Sequence, residues 1–198
     1  MRALHTKACL YFAVTAHLLL RSHGKMSADT DHELLSHLPK GKLVNLLRMH
    51  ARNVLRIDGL YFLGIEEKFG TCSAIEIDRQ CWKTMGAIEA HEIKKLMRRS
   101  RFTVPKVMQA LQLSSWSLYH TDKEVDEKKG VFRVVRCKTQ LTRLKKGLPE
   151  FPCKTVRYEY LRAFASELSP QIEVVCRICP PDRDANDSWC EWEFKIGK

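Results

Sequence analysis

No segment of this chain stays apolar for the roughly 20 residues that a membrane-spanning helix needs. The nearest approach, Ala8–Leu20, is interrupted by His17 and runs into "RSHGK" without a small-x-small cleavage site. No internal repeat is visible. No basic strand interleaved with aromatics and no recognition-helix pattern accompanies the net charge of +11, so nucleic acid is not an expected partner. The paired CxxC knuckles of the familiar zinc modules are missing as well.

What remains is an ordinary globular composition, 44% hydrophobic and 29% charged over 198 residues, long enough to bury a core without disulfides. Residues 1–25 hold Arg2, Lys7, Arg21 and Lys25 and no acidic residue. They are read as an extension outside the fold or a misplaced start, an exported leader or an added helix being the other readings, and Met26 opens a polar stretch suited to the start of a cytoplasmic protein. Residues 26–198 are expected to form one domain, helical over 26–113 and sheet-bearing over 114–198.

Leu47, Ala51, Val54, Asp58, Tyr61 and Ile65 recur at steps of three and four, one face of a helix that Gly70 ends. Thr71 is placed to cap a second helix, Gly86 to separate a third, and Pro105 to open a short fourth. Beyond these the period changes. "SWSLYHT" (115–121) and "VFRVVRCK" (131–138) read as an antiparallel pair around the polar turn "DKEVDEKKG". A basic loop or helical turn then leads to the helix in "CKTVRYEYLRAFASEL" and to two last strands, "QIEVVCRIC" and "SWCEWEFKI". The expected class is α+β, with N-terminal helices packed on a four-stranded antiparallel sheet and one helix between the strand pairs.

Cys176-x-x-Cys179 lets two thiolates reach one tetrahedral metal, and Cys190 returns to the same point across the hairpin. Cys153 is the nearest upstream fourth ligand. Buried free thiols and a hairpin disulfide are the competing readings of these cysteines. Asp58 on an apolar stripe needs a partner, such as Arg52 or Arg133, or a pocket. Cys137, close to Gln140 and Arg143, is read as a candidate nucleophile or as a core thiol. Tyr61, Glu66, Gln140 and Arg143 complete the candidate ligand pocket.

The stretches "FPCKTVRYEYLRAFASEL", "VVCRIC" and "SWCEWEFKI" resemble the C-terminal part of the 4-vinyl-reductase-type small-molecule-binding domains, which share a fold with TRAPP subunits. That resemblance implies a structural zinc on Cys153, Cys176, Cys179 and Cys190, with an iron–sulfur group as the alternative occupant. The sensors of that group commonly have a glutamate where this chain has Cys176, and they lack its Pro180-Pro181 loop. The stretches "ARNVLRIDGLYFLGIEEKFG", "AIEIDRQCW", "CKTQLTRLKKGL" and "FPCK" resemble uncharacterised prokaryotic cytosolic proteins related to L-2-amino-thiazoline-4-carboxylic acid hydrolase. Two functions are therefore expected in parallel. One is a hydrolase of a cyclic amide or amidine, with Asp58 and Cys137 as catalytic groups; the other is a non-catalytic ligand-binding or sensor module. Either takes a small-molecule partner in the cytoplasm, away from membranes, and a homodimer is compatible with both.

Overall fold

The computed structural model describes residues 33–119, 122–184 and 188–197. Two compact units divide between Leu43 and Val44; residues 33–36 and 40–43 of the first are helical, and the sheet, the other helices and the site belong to the second. The boundary expected at 25/26 lies outside the described residues.

Helix α1 (Lys40–Met97) is interrupted at Gly70, whose φ of 81° lies in the left-handed region that favours glycine. Trp82 donates from Nε1 to Asp58 Oδ1 at 3.0 Å. In a straight helix those residues would stand about 36 Å apart. The chain therefore folds back at Gly70 into a helical hairpin. Gly86, expected to break the helix, does not: the helix runs through it, and a Cβ there would lie 2.5 Å from the Tyr160 carbonyl oxygen. This glycine serves close approach between helices.

Helix α2 (Val104–Leu111) begins with Pro105 in its first turn, where a missing N–H costs nothing. The expected strand over 115–121 is replaced by a 3-10 turn, Ser115–Tyr119. One Glu89 carboxylate oxygen accepts from both the backbone N–H and the hydroxyl of Ser115, each at 2.7 Å, and the other accepts from Tyr160 at 2.6 Å. These bonds take the backbone group that a strand ladder would need. The first strand, β1 (Asp122–Val125), instead uses residues expected to be turn, and its exposed, charged side chains suit an edge.

Strand β2 (Lys129–Val134) leads to α3 (Lys138–Lys145), α4 (Lys154–Leu168), β3 (Ile172–Ile178) and β4 (Cys190–Ile196). All neighbours in the sheet are antiparallel, in the order β1-β2-β4-β3. The expected α+β class holds, with helices ahead of a four-stranded sheet, and α3 stands where a basic loop or helical turn was expected. The alternation read in the last two strands sets their register: Ile172 faces Ile196, Val174 faces Phe194 and Cys176 faces Trp192, before a bulge shifts the pairing at Ile178. Phe132, Trp192 and Phe194 of the sheet and Tyr160, Leu161 and Phe164 of α4 are fully buried. Each such side chain contributes about 1.5–3 kcal/mol by leaving water.

Gly86 and Gly64 make a matched pair of tests. Gly86→Val is expected to cost about 2 kcal/mol or more in urea unfolding, because the backbone of α4 cannot retreat. Gly64→Ala, where a Cβ meets nothing within 4 Å, is expected to gain about 0.5–1 kcal/mol from helix propensity.

Candidate functional site

The hairpin of α1 brings Asp58 against Asp78 as well as Trp82, and the two carboxyls hydrogen-bond to each other. Asp78 is only 8% exposed and Asp58 is half-buried. Two carboxyls share a hydrogen bond only when one holds a proton. Burial, and then the charge of Asp58, push the Asp78 carboxyl up to about 8. Burial also raises Asp58, opposed by the hydrogen bonds from Asp78 and Trp82. The pair thus supplies a protonated acid beside a carboxylate near neutral pH. Neither Arg52 nor Arg133 is the partner of Asp58; Arg133 pairs with Glu124 and Glu191, both at 2.7 Å, on the outer face of the sheet.

Both carboxyls line a cavity of about 500 Å³ whose walls come from the first arm of α1, from α3 and from Phe151. Arg52, Arg56, Lys138, Thr139, Thr142 and Lys146 surround it. Leu55, Asp58, Asp78, Thr139 and Phe151 also border an adjoining recess of about 50 Å³, closed by Trp82, Trp116, Gln140, Arg157 and Tyr160 and by the thiols Cys137, Cys153 and Cys190. The Arg157 guanidinium lies 4.3 Å from the Trp116 ring centre and 5.1 Å from that of Tyr160.

The expected pocket residues separate. Tyr61 is 68% exposed and outside the lining, whereas its neighbour Phe62 is 7% exposed and faces the cavity. The buried stripe of the first arm runs through Leu55, Asp58, Phe62 and Ile65, so the stripe expected through Leu47, Val54 and Tyr61 is corrected. Arg143 lines the cavity, but its guanidinium makes two hydrogen bonds to Glu66, at 2.8 and 3.0 Å, and its Nε reaches the Pro149 carbonyl. Those bonds hold Glu66 below the usual carboxylate range. Gln140 pairs through its side-chain amide with both the N–H and the C=O of Phe151, at 2.8 and 2.7 Å, and holds the loop that carries Cys153. Glu66, Gln140 and Arg143 therefore brace the walls.

Cys137 sits at the N-cap of α3, not on a strand. Burial pushes its thiol up to about 12, which leaves it protonated at neutral pH and removes the ground for an activated nucleophile.

The described cysteines are free thiols. Cys153, at the N-cap of α4, places its Sγ 3.7 Å from Cys179 Sγ, and Cys176 and Cys190 lie near enough to Cys179 to shift its thiol. A tetrahedral zinc with Zn–S of about 2.3 Å separates its sulfurs by about 3.8 Å, so the measured edge fits. Among the described residues no group of three or more His, Cys, Asp or Glu is placed so that it could hold a metal ion. The surroundings push these thiols in opposite directions, raising Cys179 through its interactions with the other three and lowering two of its neighbours. Hydrogen bonding with Cys179 and then the Lys154 charge lower Cys176, while Cys179, Arg157 and Trp192 lower Cys190 against the effect of burial. The Gln140 amide lies 3.7 Å from Cys153 Sγ.

Asp78 and Trp82 escaped the sequence reading. A signal for Trp82 was present: it stands as far after Gly70 as Asp58 stands before it, so treating that glycine as a fold-back sets the two face to face.

Fold and cavity together describe an α+β protein with a cation-rimmed pocket over a carboxyl pair. The chain belongs to DUF6125, a family of unknown function, which matches residues 36–196. No curated protein matches it.

An aspartate that ionises at higher pH in the folded chain than in the unfolded one holds more protons when folded, so stability falls as pH rises. For Asp78 the window runs from the ordinary 3.8 to about 8. Urea unfolding is expected to show that fall. Asp78→Asn is expected to flatten it and to raise stability at the upper end by on the order of a few kcal/mol.

Proposed function

We propose that this protein binds a small cyclic amide or amidine and hydrolyses it at the Asp58–Asp78 pair. The observation that carries this reading is the hydrogen-bonded carboxyl pair lining a cavity large enough for such a ligand. The resemblance to proteins related to L-2-amino-thiazoline-4-carboxylic acid hydrolase points the same way. Asp58, oriented by the Trp82 N–H, takes a proton from water as the water oxygen bonds to the ring carbon. Asp78 gives its proton to the ring nitrogen as the C–N bond breaks. Cys137 has no part in this sequence.

A zinc on Cys153, Cys176, Cys179 and Cys190 accompanies this reading, supported by the 3.7 Å spacing of the Cys153 and Cys179 sulfurs and by the groups that lower Cys176 and Cys190. With four protein ligands such a metal is structural and has no open position for water. An iron–sulfur group is the alternative occupant. The second functional reading, a non-catalytic binding or sensor module, is favoured by the aromatic lining of the inner recess, where Trp82, Trp116 and Tyr160 suit a flat ring.

Asp58→Asn and Asp78→Asn are each expected to lower turnover of a cyclic amidine by about 100-fold or more, with thermal stability undiminished. Turnover retained in both variants sinks the hydrolase. If ring compounds raise the melting temperature without being consumed, the binding module stands.

Metal content is a separate measurement. Elemental analysis of reduced, folded protein is expected to give about one zinc per chain, and Cys179→Ser to abolish it, since its sulfur stands 3.7 Å from that of Cys153, the edge a zinc would bridge. Folded protein without metal removes the zinc, and a brown colour identifies iron–sulfur.

A further inference from the structure

Several cations in this protein are neutralised by neighbours. Arg79 pairs with Glu76, Lys95 with Glu92, Arg143 with Glu66, Lys154 with Asp182 and Arg183 with Glu150. The cavity is different. Arg52, Lys138 and Lys146 form no ion pair among the described residues, and Arg56 reaches only the Asn53 side chain. Lys138, Thr142 and Lys146 recur at steps of four on α3, while Arg52 and Arg56 are one turn apart on α1, so two helices present one stripe of positive charge each to the same space. The carboxyls in that space belong to Asp58 and Asp78. Across the wider lining the other ionisable groups are Arg143, engaged with Glu66, and Arg157, Tyr160 and the thiols of the inner recess.

Resting on the ligand pocket proposed above, we infer that the physiological ligand carries opposite charges at its two ends and binds with its cationic nitrogen on Asp58 and Asp78 and its anionic group, a carboxylate or a phosphate, among Arg52, Arg56, Lys138 and Lys146. A neutral ring would leave both charge sets uncompensated. A purely anionic ligand would meet the carboxyl pair, and a purely cationic one would meet the rim. Only a ligand of mixed charge satisfies both. Arg52 and Asp58 lie about 9 Å apart along the helix axis, a span that a short chain or one substituted ring covers.

The test is isothermal titration of the full, metal-loaded chain with four probes. Guanidinobutyrate carries both charges, guanidinobutyramide only the cation, butyrate only the anion, and phosphoethanolamine has a phosphate in place of the carboxylate. Guanidinobutyrate or phosphoethanolamine is expected to bind at least about tenfold tighter than either single-ended probe, and the better of the two identifies the anion. Lys138→Gln with Lys146→Gln, both exposed positions, is expected to erase that preference while leaving guanidinobutyramide binding intact. Asp58→Asn with Asp78→Asn, which removes the negative charge of the pair, is expected to erase the preference while leaving butyrate binding intact. The inference is overturned if a two-ended probe binds no tighter than the better single-ended one, if the lysine pair makes no difference, or if no probe binds at millimolar concentration. Guanidinobutyramide that binds as well as guanidinobutyrate and depends on Asp58 overturns this inference alone and leaves the carboxyl-pair pocket standing. Loss of amidine turnover in the aspartate variants bears on that pocket independently.

Discussion

Everything distinctive about this molecule follows from one unfavourable contact, the burial of Asp78 against Asp58. Two carboxyls taken from water and placed in hydrogen-bonding contact cannot both ionise, and the chain bears the cost of keeping a proton between them. The contact exists because α1 turns back on itself at Gly70, where a left-handed backbone conformation excludes most side chains. Trp82 then holds Asp58 in place with its indole N–H. A protein selected for stability alone would have an asparagine or an apolar residue at one of these positions. Natural chains retain such strain mostly where they bind or react.

Around this centre the walls are made rigid by groups that are themselves saturated. Gln140 pairs with the backbone of Phe151 in the manner of a strand neighbour, and Arg143 grips Glu66 while packing 5.7 and 5.9 Å from the rings of Phe62 and Phe151. Such fully occupied polar groups position a cavity without competing for its contents. The same Gln140 amide reaches toward Cys153, so the cavity wall and the thiol cluster share a brace. Cys153 and Cys190 border the inner recess, so the start of α4 and the first residue of β4 form part of its wall.

Charge is distributed to the same end. The outer face of the sheet carries Arg133, Arg177, Glu191 and Glu193 as an interlocked network, in which acids beside bases neutralise locally. Four cations without such partners among the described residues, Arg52, Arg56, Lys138 and Lys146, line the space where α3 faces the first arm of α1. Basic residues that look alike in a list of composition thus divide into those that hold the fold and those that face an empty space.

The α+β order, the limits of α4, β3 and β4 and the register of the final hairpin were legible along the chain, because each depends on periodicity and on punctuation by Gly and Pro within a few residues. Of the expected cysteine set the structure brings Cys153 and Cys179 to 3.7 Å, an approach between the start of α4 and the end of β3. Local signals failed where a distant partner outbid them. Ser115 and Trp116 have strand propensity, yet Glu89 and Arg157 hold them in a tight turn; Gly86 looks like a helix stop, yet its lack of a Cβ admits α4. The first arm of α1 offers two apolar stripes, and only packing chose the one through Phe62 over the one through Tyr61. Periodicity and punctuation along the chain were enough for the α+β order and for α4, β3 and β4. Tertiary structure alone decided that Asp58 finds another carboxyl instead of an arginine, because the neighbour of a buried charge is set by where helices cross, not by spacing along the chain.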